Sequence, residues 1–272
     1  ICFEKVNRYK VYTALISALT VILLMGCMSE SDPFQNPELQ DGTGRIAVYV
    51  TADSKMQTRA GKALTDEQKD QYLITIKQGN IYHVDAKVLS QLTTADLIVP
   101  AGYGYTVTAE SCSASDAESQ PTIYGQPRLV GTSSTFPVVK DETSTVNVLC
   151  TPANAGVTVI ANDKTFNEVF SDYVMTVRLG SRELTFTPGN TSTVGYFNVS
   201  ATQGTNLTYS LTATRRENGE TASVSSTVVL QKGRITQLSL RSTPKGTIQL
   251  GITYDDSFIT EDIEMVIDPE KD

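Results

Sequence analysis

From residue 44 onward, apolar residues take every second place along the chain instead of recurring at three and four. Ile46, Val48 and Val50 do so, as do Leu73 with Thr75, then Tyr105, Val107 and Ala109, then Val146, Val148 and Cys150. A period of two sends successive side chains to opposite faces, so each run predicts a half-buried β-strand. Composition agrees, because the chain has 36 threonines beside many Val, Ile and Tyr residues, the types that suit a pleated surface. Turn signals punctuate the runs at Gln78-Gly79-Asn80, Pro100-Ala101-Gly102 and Arg216-Glu217-Asn218-Gly219. No long helical stripe competes; Leu64–Tyr72 and Lys164–Phe170 have room only for single helical turns. The stretch 246–254 alternates Ile248, Leu250 and Ile252 before Asp255-Asp256. It predicts one more strand, at an edge of the last unit, and an unpaired edge invites strand addition by a partner.

The order of the segments recurs. Gly44-Arg45-Ile46-Ala47-Val48 is similar to Gly156-Val157-Thr158-Val159, and Tyr72-Leu73-Ile74-Thr75-Ile76 to Tyr173-Val174-Met175-Thr176-Val177. Tyr105-Thr106-Val107-Thr108-Ala109 parallels Tyr209-Ser210-Leu211-Thr212-Ala213, and Val138-Val139-Lys140 with Val146-Asn147-Val148 parallels Val229–Lys232 with Leu238-Ser239-Leu240. Four matches in one order predict two tandem domains of one fold, 44–152 and 153–268, joined around Thr151–Ala155. Each offers about seven short strands and no crossover helix, so the fold class is all-β: two Greek-key β-sandwiches, with parallel α/β folds excluded.

The N-terminus carries a different signal. Lys5, Arg8 and Lys10 precede an apolar run from Val11 to Met25 that is too short and too interrupted for a membrane span, which is the anatomy of a signal peptide over residues 1–26. Leu24-Met25-Gly26-Cys27 resembles the lipobox of bacterial lipoproteins, making Cys27 the expected lipidation site. A plain secretory leader with an incidental Cys27, or an uncleaved anchor, are the alternatives. Residue 28 is Met and not Asp, so the resemblance implies the outer membrane, and Met28–Asp32 resembles the acidic tag that sends such lipoproteins to the cell surface. Residues 27–43, with Pro33, Pro37 and Gly42, read as a flexible stalk.

Charge removes one class of partner. With 22 Lys and Arg against 30 Asp and Glu the net charge is −8, and the leader carries Lys5, Arg8 and Lys10 against Glu4, so the chain without its leader sits two lower, at −10. Nucleic acid is therefore not an expected partner, since phosphate binding needs clustered cations. Chemistry is sparse. His83 is the single histidine and there is no tryptophan, which argues against His-based catalysis and against a Trp platform for sugars. One His and two distant Cys give no zinc spacing, so neither a metal nor a cofactor is expected. Asp255, Asp256, Glu261 and Asp262 lack the EF-hand pattern and read as a solvated acidic turn. Cys112 and Cys150 are the cysteines left for structure: either they pair as a disulfide, or Cys150 is a small buried apolar residue in its strand. Tyr103, Tyr105, Tyr124 and Tyr196 are the candidate tyrosines for an exposed contact surface, core or corner places being the alternative.

Pro100–Val107, Val146–Asn154 and Phe170–Val174, behind a lipobox leader and stalk, resemble the uncharacterised tandem-sandwich lipoproteins of gut Bacteroidota, which are similar to the fimbrillin superfamily. The resemblance spans nearly the whole chain. It implies transthyretin-like sandwiches, a place on the outer membrane through a lipid anchor, and work in adhesion or fimbrial assembly through protein partners, with no catalytic residues. It also implies that Arg59, between the first two strands, could be a proteolytic processing site, an exposed loop arginine being the alternative. A non-enzymatic adhesin-like or fimbria-associated protein is the leading expectation, and a surface glycan-binding lipoprotein of a polysaccharide uptake system is the alternative.

Overall fold

The computed structural model describes residues 41–52, 69–191, 193–200, 204–255 and 262–263. The first half begins with β1 (Thr43–Ala52), β2 (Leu73–Gln78), β3 (Ile81–Val88), β4 (Ile98–Pro100) and β5 (Gly102–Glu110). A short helix, α1 (Ala114–Ser119), comes next, and then β6 (Leu129–Thr132), β7 (Phe136–Val138) and β8 (Thr143–Pro152). The second half runs β9 (Asn154–Ile160), α2 (Lys164–Val169), β10 (Phe170–Leu179), β11 (Arg182–Phe186), β12 (Val194–Asn198), β13 (Thr205–Arg215), β14 (Thr221–Leu230), β15 (Ile235–Ser242), β16 (Ile248–Asp255) and β17 (Asp262–Ile263). The fold is all-β and of the sandwich kind.

Strand pairing is laid down twice in one pattern. β1 lies between β4, antiparallel, and β8, parallel; β9 lies in the same way between β12 and β15. β2 lies between β3 and β5; β10 lies between β11 and β13. The segments matched along the sequence therefore occupy equivalent places in space. β16 adds a strand to the second half, pairing with β15 from Ile248 to Asp255 and with β17 at Ile252 and Thr253.

Alternation produces the cores. In β8, Val146, Val148 and Cys150 point inward while Thr145, Asn147 and Leu149 are exposed. The buried apolar residues fall into two clusters: one from Ile46 to Cys150, built on Ile74, Ile76, Tyr105 and Val107, and one from Ala155 to Ile252, built on Phe166, Phe170, Met175, Leu211 and Leu240. Each fully buried large side chain contributes about 1.5–3 kcal/mol of transfer free energy. α2 exists because Asp163 caps it, its carboxylate accepting the Phe166 N–H at 2.7 Å. The turn sets Phe166 against Phe170, with ring centroids 5.0 Å apart. Both cores lie within one compact unit that begins at Asp41.

The halves diverge at the sheet margins. In the first, β6 pairs with β5 and, at Leu129 and Val130, with Pro152 and Thr151 of β8, so the two layers join into one eight-stranded sheet. Gly131 permits that approach, since a Cβ there would stand 2.3 Å from the Leu149 carbonyl oxygen. In the second half the layers stay separate, as β11-β10-β13-β14 and β12-β9-β15-β16-β17.

Candidate functional site

Cys27 and Arg59 lie outside the described residues, so lipidation and processing remain readings of the sequence. Cys112 and Cys150 are free thiols in this structure, so no bridge between them is formed here. Cys150 occupies the first core fully buried, its thiol 3.5 Å from the Ala109 carbonyl, and burial pushes its pKa up to about 11. The Cys112 thiol, half-buried after β5, is also raised, chiefly by burial. Cys150 thus fills the place of a small apolar residue. Nearby, the buried Tyr72 hydroxyl has no hydrogen-bond partner, and burial first, then the two thiols, raise its pKa.

No arrangement suited to catalysis emerges among the described residues. His83, on β3, rests its ring 5.3 Å from that of Tyr105, and its Nε2 is buried without a partner. No group of three His, Cys, Asp or Glu side chains could hold a metal among the described residues. Of the four candidate contact tyrosines, Tyr105 is buried and donates to the Pro100 carbonyl at 2.6 Å, Tyr124 and Tyr196 lie half-buried where the two halves meet, and Tyr103 is exposed. A cavity of about 130 Å³ beside α2 is lined by Phe166, Phe170, Tyr173, Asp172, Asn167 and Arg216. Both phenylalanines are turned into the core at 2% exposure, so neither gives a sugar a flat ring to stack on.

What the structure brings together is a set of sheet edges, each treated differently. The segment from Ser111 to Arg128 leaves the first half between β5 and β6 and straps onto the second. Its ends are tied by the Arg128–Glu110 ion pair at 2.8 Å, half-buried. Ser113 caps α1 by accepting the Asp116 N–H. From this strap the Tyr124 carbonyl accepts the Tyr196 N–H at 2.8 Å, and the Glu118 carboxylate accepts the Asn198 N–H at 2.7 Å, which satisfies backbone donors on the outer side of β12. Tyr124 donates to the Thr185 carbonyl at 2.6 Å and packs on Phe186. Arg182 donates to the Ile123 carbonyl at 2.7 Å, and burial draws its pKa below the ordinary value. At the junction, buried Asn154 accepts the Arg128 N–H at 3.0 Å, donates to the Gln126 carbonyl at 2.9 Å, and takes the Gly233 N–H on its own carbonyl. Asn154 lies within Thr151–Ala155, the stretch where the sequence expects the two units to join. The strap is not legible in the sequence, its only trace being an interval of nearly 20 residues without alternation.

The opposite margin carries no further strand among the described residues; the Tyr254 hydroxyl of β16 donates to the Val229 carbonyl of β14 at 3.2 Å. β14 pairs with β13 without a bulge from Thr221 to Leu230, and among the described residues no strand pairs with its other side. Its ten residues, Thr-Ala-Ser-Val-Ser-Ser-Thr-Val-Val-Leu, include no charge and no proline. Charge and proline are devices by which proteins usually blunt an edge. The outer face of β1 and β8 is similarly free of charge between Ala47 and Thr51, with Tyr49 and Leu149 more than half exposed.

The described residues thus form a repeated sandwich with a charge-free outermost strand, β14, and a charge-free face on β1 and β8. The chain is a member of the family described as Domain of unknown function (DUF4493), which matches residues 42–269. Among solved structures it is similar to the fimbrial anchor protein Mfa2 from Porphyromonas gingivalis, at 11% identity over 81% of this chain and 99% of that one, with a TM-score of 0.41. It is also similar to a fimbrial assembly protein from Parabacteroides distasonis, at 10% identity over 82% of this chain and 98% of that one, with a TM-score of 0.46. No curated protein matches it.

Proposed function

We propose that this is a non-enzymatic lipoprotein, held at the cell surface through Cys27, that works in adhesion or fimbrial assembly by protein contact. The observation that carries the reading is the β14 edge: ten residues, regular, uncharged and unpaired on one side among the described residues. An extended partner segment would add there as a further strand, with main-chain hydrogen bonds supplying affinity and the Ser and Thr side chains setting register. The names of the fold neighbours agree with this reading, but it rests on the edge and not on those likenesses. Glycan binding is the weaker reading, because the described cavity offers no exposed ring.

The test is crosslinking on intact cells with mass spectrometry, comparing the natural chain with Ser223→Lys/Thr227→Lys. Those side chains are exposed on β14, and surface changes of this kind leave stability within about 0.5 kcal/mol. A protein partner captured by the natural chain and lost from the variant is the expected result. Capture of nothing, or equal capture by both, overturns it. Metabolic labelling with palmitate tests the anchor separately: it should follow Cys27 and disappear in Cys27→Ala.

A further inference from the structure

We infer that one end of the first sandwich is a lipid-contact surface, where Ile81, Tyr82 and Tyr103 enter the bilayer interface. Two turns form this end. Gln78–Ile81 links β2 to β3 and Ala101–Gly104 links β4 to β5; they are joined by the Gly79 N–H donating to the Gly104 carbonyl at 3.2 Å and by the Gln78 side-chain amide donating to the Tyr103 carbonyl at 3.2 Å. Gly79 and Gly104 hold positive φ angles of 57° and 78°, which let both turns be tight. The turns carry large apolar side chains that the core does not use: Ile81 is 61% exposed, Tyr82 55% and Tyr103 37%. Lys77 sets its ammonium 4.1 Å from the centre of the Tyr82 ring. An aliphatic residue, two tyrosines and a lysine make up the chemistry of a bilayer interface, where rings sit at headgroup depth and the lysine stem lies along them with its charge in water.

Where the chain arrives selects a membrane over a protein as the occupant. The Ala101 N–H donates to the Gly42 carbonyl at 2.8 Å, and Thr43 pairs with Pro100, so the connection from Cys27 reaches the sandwich at these same turns. Cys27 lies 14 positions before Asp41, a tether of at most about 50 Å even if fully extended. The proposal takes its orientation from the lipid-anchored reading under Proposed function, and its chemistry from the exposed residues alone. Contact here would hold the anchored protein in one attitude.

The chain has no tryptophan, so Tyr82→Trp in the full chain makes a lone reporter, and Ile123→Trp, at a strap position 69% exposed, makes the control. Each is attached to phosphatidylethanolamine and phosphatidylglycerol vesicles with or without acyl-brominated lipid. The expected result is a blue-shifted emission from the residue-82 reporter that loses roughly half its intensity to the brominated lipid, as an interfacial side chain should. Adding Ile81→Asp should abolish both effects, and the control should show neither. Solvent-like, unquenched emission from position 82 on bound protein overturns the proposal and leaves the patch to a protein partner. If the chain does not attach through Cys27, the anchor reading has failed; the same measurement on a chain held by an N-terminal histidine tag to nickel-chelating lipid still decides the patch.

Discussion

The two halves share a strand order and differ in how they finish their sheets. The first joins its layers through β6 and β8 and so leaves little margin there. The second keeps its layers apart, covers β12 with a strap borrowed from the first half, and among the described residues leaves β14 with no strand on its other side. A repeated topology therefore does not carry repeated surfaces. The core pattern has to recur for each unit to bury its apolar faces, whereas the margins are free to vary.

The comparison is broken most forcefully from inside. Leu211→Ala in the second core and Ile76→Ala in the first, both fully buried, should each cost about 2–5 kcal/mol. Because Asn154 and the strap bind the halves, calorimetry should show one transition lowered by either change; two transitions, each answering to one variant, would show the sandwiches standing independently. Asn154→Ala removes both side-chain bonds to the strap and leaves the Arg128 N–H and Gln126 carbonyl unpaired, a loss of about 2–3 kcal/mol, and should split that transition. Tyr124→Phe deletes the bond to Thr185 and the acceptor of the Asn190 amide, which keeps its own bond to the Thr185 carbonyl, so a fall of about 1 kcal/mol with the transition still single is expected. A smaller distinction is acid sensitivity. Asp96, hydrogen-bonded first by Lys87 at 2.6 Å and then by Thr93, is held well below the usual carboxylate range. Its folded pKa is depressed, so its contribution is present above about 3.8, the ordinary value, and is lost as pH falls below that toward the folded pKa. Asp96→Asn should flatten the decline in Tm below that pH, to the extent the first half sets it.

Thiol reactivity sharpens the contrast between two cysteines of one half. With Cys150 fully buried and its pKa near 11, iodoacetamide at pH 8 should label the half-buried Cys112 in the native protein and Cys150 only after unfolding. Failure to label either without reductant, even after unfolding, would show a bridge between them.

Much of this architecture is legible in the sequence because alternation is a local property: Val146, Val148 and Cys150 announce a strand whatever lies opposite. The repeat is legible because it is a comparison of such local patterns. The strap is not, since its bonds run mostly from backbone carbonyls of Ala114, Ile123 and Tyr124 to side chains and amides more than 50 residues away, and a carbonyl has no sequence signature. Nor is the exposure of β14, which depends on β15 joining the other sheet. Residue type does not tell a contact tyrosine from a packed one, and three of the four candidates are committed to the interior or the junction. Lys164–Phe170 forms its single turn, as α2, because Asp163 stands at its N-cap.

The parallel pairs β1 with β8 and β9 with β15 bear on how such a body would carry load. In each, the chain comes in at the start of one strand and goes out at the finish of its parallel neighbour. Tension applied along the chain would therefore pull the two strands past each other lengthwise. The register of β1 and β8 runs unbroken from Arg45–Thr143 to Ala52–Cys150, so that whole row of hydrogen bonds would be strained together and not peeled apart one by one.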